Sequence, residues 1–192
     1  MKTKYSKLGV VVAFAMAVSL LMLRMPSAAT AADCHLDQRQ QQNRGEILFG
    51  GKTYLAQSFV PGAPGHQICR VKVTIRRIGA APGPLTLRVL TPAFGAMADP
   101  VTIPPAAIPM GVSVQLFDFG CNDAPLNGAF HVLQLESPNS HIGDYAWRGA
   151  GANPYAQPGN SGRGWRNVNS GAPANWSSLG QWDFAFEVHT CN

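Results

Sequence analysis

The chain has 192 residues, with 15 Lys and Arg against 10 Asp and Glu, and its pI is about 9.3. The formal net charge of +5 is unevenly placed, because four of the basic residues lie within the first 24 positions. The rest of the chain carries eleven basic and ten acidic residues, a net charge of about +1. That charge is too small to attract nucleic acid or an anionic membrane surface, so we expect neither as a partner.

The first 31 residues have the pattern of a secretory signal peptide. Three lysines precede an apolar run from Leu8 to Leu23, and small residues ending in Ala29-Thr30-Ala31 follow it. A retained anchor is the alternative, but the run is short for a bilayer span and contains a Gly and a Ser. We therefore expect residues 1–31 to be cleaved and the mature protein to be secreted or periplasmic, with no integral membrane segment.

All four cysteines follow this leader, and they are Cys34, Cys69, Cys121 and Cys191. An even number of cysteines in an exported chain indicates two disulfides. Their long spacings contain no C-x-x-C motif, which disfavours a zinc or thioredoxin-type site. After the leader about 160 residues remain, enough for one domain with a hydrophobic core.

Residues 32–52 form a polar, Gln-rich segment ahead of the first strand pattern. Asp33–Arg44 is consistent with a short helix or with a loose arm held by Cys34, and the sequence does not separate the two. The first strand pattern, Thr53 to Val60, ends at a turn rich in Pro and Gly. We therefore expect an N-terminal arm over 32–52 and one domain over 53–192.

Strand patterns then alternate with Gly and Pro turns. In Ile68–Ile78, apolar β-branched residues alternate with Arg, Lys and Thr, which is typical of a half-buried strand, and Leu85–Val89 repeats the alternation. Thr91–Gly111 contains five prolines and has no clear period. We interpret it as a long connection that crosses from one sheet to another and could include a helical turn.

The second half of the chain continues the pattern. Val112–Phe119 shifts its apolar residues from one parity to the other, which we interpret as a β-bulge. Phe130–Glu136 is apolar on both faces, which predicts a central strand, and Trp182–Val188 alternates as a final strand. With no convincing helical pattern, the chain is predicted to be all-β, a single β-sandwich of two antiparallel sheets.

Several short motifs occur in a fixed order from Thr53 to His189. They are Ala56-Gln57-Ser58-Phe59, Leu85-x-Leu87-x-Val89, Leu126-Asn127-Gly128-Ala129-Phe130, Tyr145-x-Trp147, Pro154-Tyr155, Gly164-Trp165, Trp176 and Asp183-Phe184-Ala185-Phe186-Glu187. In this order the chain resembles the jelly-roll β-sandwich modules of secreted bacterial proteins, which include carbohydrate-binding-module-like domains. Those modules usually have Tyr where this chain has Phe130, and they commonly carry fewer cysteines. The resemblance implies a jelly roll, a fold that hosts many activities.

The resemblance also implies that the first long strand lies antiparallel beside the last one. One register then satisfies both faces, with opposite charges outside and apolar residues inside. The facing pairs are Lys72/Glu187 and Arg76/Asp183 outside, and Val71/Val188, Val73/Phe186 and Ile75/Phe184 inside.

The same register brings Cys191 close to Cys69. We therefore infer Cys69–Cys191 and Cys34–Cys121 disulfides. Cys69 and Cys191 have opposite parity in this register, so the bridge requires the strand end to turn.

The aromatic residues of the tail are the main candidates for a binding site. All four tryptophans lie after position 145, among Gly, Asn, Ser and Pro. Sugar rings stack on Trp and Tyr, while Asn, Asp and Arg bind the hydroxyl groups. We expect Trp147 and Trp182 in the core, because each joins a strand-like alternation. The predicted ligand-binding residues are Tyr155, Trp165, Trp176, Asn153, Arg163, Asn167 and Asp144.

These residues favour a secreted, non-catalytic module that recognises a polysaccharide or glycan. Alternatively, the tryptophans cap the core in a structural or interaction protein of the cell envelope or extracellular matrix. We predict no enzyme, because no catalytic constellation of the known types is present. No cofactor is expected, although the sequence leaves open a structural Ca²⁺ held by loop carbonyls. It also leaves open the oligomeric state.

Overall fold

Thirteen strands and one 3-10 turn make up the part of the chain that a computed structural model describes, residues 33–121, 125–155, 162–169 and 175–192. The predicted signal peptide, residues 1–31, lies outside these ranges. Within them the protein is all-β with two antiparallel sheets, as predicted. The strands are β1 (His35–Gln40), β2 (Gly45–Phe49), β3 (Tyr54–Phe59), β4 (Gln67–Arg77), β5 (Leu85–Leu90), β6 (Val101–Ile103), β7 (Gly111–Asp118), β8 (His131–Glu136), β9 (Tyr145–Ala150), β10 (Gly164–Asn167), β11 (Trp176–Ser178), β12 (Asp183–Phe184) and β13 (Phe186–Cys191).

The larger sheet is built around β4, which at eleven residues is the longest strand described. β13 pairs with the first part of β4, β9 pairs with its last three residues, and β7 pairs along its other edge. β1 extends the sheet beyond β13, β2 extends it beyond β9, and β12 pairs with the end of β9. A strand of this length can therefore hold two neighbours on one edge.

The polar segment 32–52 belongs to this larger sheet. The structure resolves the choice left open for Asp33–Arg44, because β1 pairs with β13 and is neither a helix nor a loose arm. Its glutamines make hydrogen bonds: Gln40 Nε2 donates to the Asp183 carbonyl at 3.2 Å, and Gln38 Oε1 accepts from the Tyr155 hydroxyl at 2.8 Å. The Gln-rich composition thus supplies polar cross-links between the first strand and the tail.

The smaller sheet has the strand order β11-β10-β3-β8-β5-β6. β8 lies between β3 and β5 and is buried along its whole length, which confirms the prediction of a central strand. The segment Thr91–Gly111 contains β6 and a 3-10 turn at Pro105–Ala107, then leads into β7 of the larger sheet. It is therefore the predicted connection between sheets.

One hydrophobic core lies between the two sheets. Leucines of β3, β5 and β8 meet apolar residues of β4, β9 and β13. Trp147 is fully buried, as predicted; its ring stacks on Phe184 at 4.5 Å, and its Nε1 donates to the Ala185 carbonyl at 3.0 Å. Trp182 is partly buried and packs against the same core.

The predicted register of β4 and β13 is correct at one end and wrong at the other. Lys72 lies opposite Glu187, with the apolar pairs Val71/Val188 and Val73/Phe186 beside it. β13 begins only at Phe186, and Asp183 and Phe184 form β12, which pairs with β9.

The predicted Arg76/Asp183 pair is therefore absent. Arg76 lies opposite Ala146 and forms an ion pair with Glu46 at 2.9 Å, while Asp183 is fully buried. The predicted pair required one continuous strand from Asp183 to Val188. The chain changes direction between β12 and β13, so Asp183 does not lie beside β4.

The bulge predicted in β7 is wrong. Its pairing with β4 runs without interruption from Gly111 to Asp118. Val112, Val114 and Leu116 point outward and are 54%, 61% and 48% exposed, whereas Phe117 points into the core. The apolar residues of β7 change parity because the first three form an exposed row and Phe117 faces the core. The register of β7 with β4 does not change.

The disulfides are Cys34–Cys69 and Cys121–Cys191, with Cα–Cα distances of 5.9 and 6.2 Å. The predicted pairing, Cys69–Cys191 with Cys34–Cys121, is wrong. The register of β13 shifts between His189 and Thr190, so Cys191 lies opposite Gln67 and the pairing passes over Cys69. The Sγ atoms of Cys34, Cys69 and Cys121 lie within 4.8 Å of one another, so local side-chain direction decides which of them are joined.

In the described ranges, no helix has the length and apolar character needed to cross a membrane.

Glu187 makes stability depend on pH in acid. Burial opposes its charge, but hydrogen bonds from Lys72, His189 and Gln41 prevail and lower the pKa of Glu187 from 4.5 to about 2. Because the folded-state pKa lies below the unfolded one, the stabilisation is present above about pH 4.5 and is lost as the pH falls through about 2. We expect the free energy of unfolding, measured by urea denaturation, to fall less steeply over this range in Glu187→Gln than in the wild type.

A matched control is Asp118→Asn. Asp118 pairs with Arg70 at 3.3 Å, but both side chains are about half exposed, so the pair contributes little to stability. Its acid profile should follow that of the wild type. Identical profiles for the wild type and Glu187→Gln would contradict the prediction.

Candidate functional site

A groove of about 410 Å³ lies on the outer face of the smaller sheet. Residues on β3, β5 and β8 alternate, so leucines point into the core while polar and aromatic side chains point outward to the groove. A loop that follows β5 forms one wall. The lining residues are Tyr54, Arg88, Leu90, Phe94, Ala96, Gln134, Glu136 and Pro138.

The polar part of the groove is a hydrogen-bonded set of three side chains. Arg88 lies opposite Gln134 across β5 and β8, and both reach Glu136. Arg88 Nε donates to Glu136 Oε1 at 2.8 Å, and Gln134 Nε2 donates to Oε2 at 2.6 Å. The Glu136 side chain is 8% exposed and that of Arg88 38%, so the guanidinium is the more accessible charge. The ion pair leaves this part of the groove with no net charge.

Tyr54 adds a hydroxyl group and an aromatic ring to the same groove. Burial raises the pKa of Tyr54, the negative charge of Glu136 raises it further, and Arg88 lowers it. The phenol therefore stays protonated at neutral pH and remains a hydrogen-bond donor.

Four aromatic residues, Phe94, Phe130, Trp165 and Trp176, form an aromatic cluster beside the groove. They cover a small apolar patch of the sheet made by Ala56, Leu90 and Val132. Phe94 has a φ of 61°, and its N–H donates to the Thr91 carbonyl at 2.9 Å. Its ring stacks on Trp176 at 5.1 Å and meets Trp165 edge-on at 6.1 Å. Phe94 thus belongs both to the groove wall and to the cluster.

Two of the predicted site residues, Trp165 and Trp176, belong to this cluster. Trp165 lies on β10 opposite Ala56, and Trp176 lies on β11 opposite Asn167. Both are only partly buried, but their Nε1 atoms are buried and have no hydrogen-bond partner among the described residues. Their rings therefore support the groove wall and hold the loops against the sheet.

The structure places Tyr155 in the hydrophobic core. It is 7% exposed and meets Phe186 edge-on at 5.1 Å. Burial raises the pKa of Tyr155 to about 12. Its hydroxyl donates to Gln38 Oε1 at 2.8 Å, so both ends of the side chain have partners within the fold.

The backbone at Tyr155 binds the buried carboxylate of Asp183. Oδ2 accepts from the Tyr155 N–H at 2.9 Å and from the Asn153 side-chain amide at 3.0 Å. Oδ1 accepts from Gln57 Nε2 at 3.3 Å, and Gln57 Oε1 accepts from the Phe184 N–H at 2.7 Å. Burial raises the pKa of Asp183 despite these donors. Asn153 therefore contributes to a structural network.

The other three predicted residues have separate positions. Asp144 closes the turn before β9, where its Oδ2 accepts from the His141 N–H at 2.7 Å. Arg163 is held through its main chain, whose N–H donates to Ser58 Oγ at 3.0 Å. Asn167 is fully buried opposite Tyr54, and its Oδ1 accepts from the Asn169 N–H at 2.8 Å.

The residues that line the groove most closely were not predicted. They come from three strands and one loop that are far apart in sequence, so no local motif joins them. The sequence does show that polar residues alternate with apolar ones in Thr86–Arg88 and Gln134–Glu136. This alternation indicates a shared site only once β5 is known to pair with β8. The missed residues are Tyr54, Arg88, Phe94, Gln134 and Glu136.

Compared with known protein families and with curated proteins, the chain matches none. Its site is therefore interpreted from its own geometry.

Removing the Phe94 ring tests the aromatic cluster. In Phe94→Ala, Trp176 loses its stacking partner and Trp165 loses an edge contact. We expect tryptophan emission to shift to the red and acrylamide quenching to increase, with a loss of about 1–2 kcal/mol in the free energy of unfolding. Leu116→Ala, an exposed site on the larger sheet, is the control and should leave emission unchanged. Unchanged emission in Phe94→Ala would show that Phe94 does not shield the indoles.

Removing the Asp183 carboxylate tests the buried network. Asp183→Ala leaves the Tyr155 N–H without its acceptor and removes one of the two acceptors of Gln57 Nε2, the other being the Ser58 carbonyl. We expect the free energy of unfolding in guanidinium chloride to fall by about 2 kcal/mol or more. Asp183→Asn keeps one acceptor oxygen and should lose less. Equal stability of Asp183→Ala and the wild type would contradict the network.

Proposed function

We propose that the protein is a secreted, non-catalytic carbohydrate-binding module with a jelly-roll topology, exported by residues 1–31 as a cleaved signal peptide. The observation that carries the proposal is the groove on the smaller sheet, in which the Phe94 ring and the largely buried Tyr54 lie beside Arg88, Gln134 and Glu136. Sugars offer an apolar C–H face and a rim of hydroxyl groups, and this combination matches both. Its volume of about 410 Å³ lies in the range of small-molecule sites.

Each part of the groove has a role in sugar binding. The ring of Phe94 contacts the C–H face of a pyranose, and the aromatic cluster fixes its position. The guanidinium of Arg88 and the phenol of Tyr54 donate hydrogen bonds to sugar oxygens. Glu136 orients Arg88 through the contact at 2.8 Å. Because the arginine charge is already neutralised, the groove suits an uncharged sugar better than an acidic one.

The acid content of the groove favours binding over cleavage. Glycoside hydrolysis by the common mechanisms uses two carboxyl groups on either side of the bond. Among the described lining residues, Glu136 is the single acid, and both of its oxygens accept hydrogen bonds. We therefore propose recognition without hydrolysis.

The disulfides support the proposed location. Two disulfides within one small domain are typical of proteins that fold in an oxidising compartment. This favours a secreted or periplasmic protein.

A second candidate function is an interaction protein of the envelope or extracellular matrix without a glycan ligand. The row of Val112, Val114 and Leu116 on β7 favours it, since three exposed apolar side chains share one strand. The packing of Trp165 and Trp176 against the sheet is also expected for a purely structural role.

Binding to an array of neutral and acidic glycans tests the proposal. We expect binding to a neutral polysaccharide, with a loss of about tenfold or more in Phe94→Ala and Arg88→Met, since each removes about 1–2 kcal/mol of contact. Tyr155→Phe is the matched control, because this aromatic residue lies in the core outside the groove.

Binding that survives both groove substitutions would place the sugar site elsewhere. No binding to any glycan, together with partner binding that is lost in Val114→Asp, would favour the interaction protein.

A further inference from the structure

Two histidines converge at one corner of the larger sheet, away from the residues that line the groove. His35 begins β1 and lies opposite Thr190 of β13. His66 immediately precedes β4, whose first residue, Gln67, lies opposite Cys191. The pairing of three strands thus brings His35, His66 and Thr190 together from distant parts of the sequence.

Both imidazoles contact the same hydroxyl group. His35 Nε2 lies 3.2 Å and His66 Nδ1 lies 3.4 Å from Thr190 Oγ1, and the two ring centroids are 5.2 Å apart with the rings perpendicular. Thr190 is fully buried. Its hydroxyl has one hydrogen, so it donates to one ring nitrogen and accepts from the other. A single hydrogen-bond acceptor is enough for the buried Thr190 hydroxyl. The second imidazole is therefore not required to satisfy its hydrogen bonding.

The corner is held rigid by covalent bonds. Cys34, which precedes His35, is joined to Cys69, and Cys191, which follows Thr190, is joined to Cys121. The carbonyl of His66 accepts a hydrogen bond from the Leu126 N–H at 2.8 Å. The backbone positions of both histidines are therefore fixed before any ligand arrives, which lowers the entropic cost of binding.

We propose that His35 and His66 bind a divalent transition-metal ion, with Cu²⁺ favoured over Zn²⁺. Imidazole nitrogen is a preferred ligand for both ions, and the general order of affinity places Cu²⁺ above Zn²⁺. Metal–nitrogen bonds measure about 2.0–2.1 Å, so the two ring nitrogens turn from Thr190 Oγ1 to the ion. His35 is exposed, which leaves coordination positions open to water.

The test is titration of the disulfide-bonded protein, purified without a polyhistidine tag, with CuCl₂ and with ZnCl₂ by isothermal calorimetry. We expect one ion per chain, with Cu²⁺ bound more tightly. His35→Gln and His66→Gln keep a side-chain amide near Thr190 but remove the imidazole, and each should weaken binding at least about tenfold. The double variant should bind no ion at this site.

Two controls separate a metal site from a structural role. His141→Gln changes an exposed histidine in the turn before β9 and should bind as the wild type does. Thr190→Val removes the shared hydroxyl and should leave binding intact, although it removes both hydrogen bonds. Thermal unfolding of each variant without metal checks that the fold is kept. Absence of stoichiometric uptake by the wild type, or equal uptake by the double variant, would overturn the proposal.

Discussion

The buried carboxylate of Asp183 is the point on which the two sheets and the tail depend. The carboxylate oxygens of Asp183 accept hydrogen bonds from Gln57 of the smaller sheet and from the backbone N–H of Tyr155. The main-chain carbonyl of Asp183 accepts one from Gln40 of β1. A carboxylate in the core is costly unless its oxygens accept hydrogen bonds, so each of these donors is fixed by the need to satisfy it. The same residue begins β12, which pairs with β9 ahead of β13.

The groove follows from the arrangement that this network secures. With the smaller sheet held against the larger one, the leucines of β3, β5 and β8 are used in the core, and the alternate side chains face outward. The ion pair of Arg88 with Glu136 then lies beside the loop that carries Phe94. Trp176 stacks on Phe94 from outside the groove and Trp165 meets the same ring edge-on, so both hold its position. The same strands thus supply core residues on one face and groove residues on the other.

The sequence correctly predicted the features that follow from the alternation of apolar and polar residues along a strand. Alternation over Ile68–Ile78 found β4, and the coincidence of Lys72/Glu187 with two apolar pairs gave the correct register at that end. It could not reveal the turn between Phe184 and Phe186, because the alternation continues through it. It also could not fix the disulfides, since the register shift between His189 and Thr190 places Cys191 opposite Gln67, which no short period reveals.

The residues of the candidate groove are hard to predict from sequence for a physical reason. Tyr155 is set among loop residues that suggest exposure, but burial is decided by Asp183, which is distant in sequence. Trp165 and Trp176 lie in the aromatic cluster beside the groove, and Trp is recognisable in any sequence context. Arg88 and Gln134 are ordinary alternating residues until β5 and β8 pair. The candidate groove therefore depends on strand pairing more than on local motifs.

The apolar row on β7 has a consequence for the behaviour of the protein in concentrated solution. Among the described strands β7 pairs only with β4, so its other edge offers free backbone groups next to Val112, Val114 and Leu116. No charged residue interrupts this edge between Gly111 and Asp118. An uncharged, apolar edge strand is a template on which another strand can add. At high concentration, strand-paired aggregation is therefore expected to start from this edge.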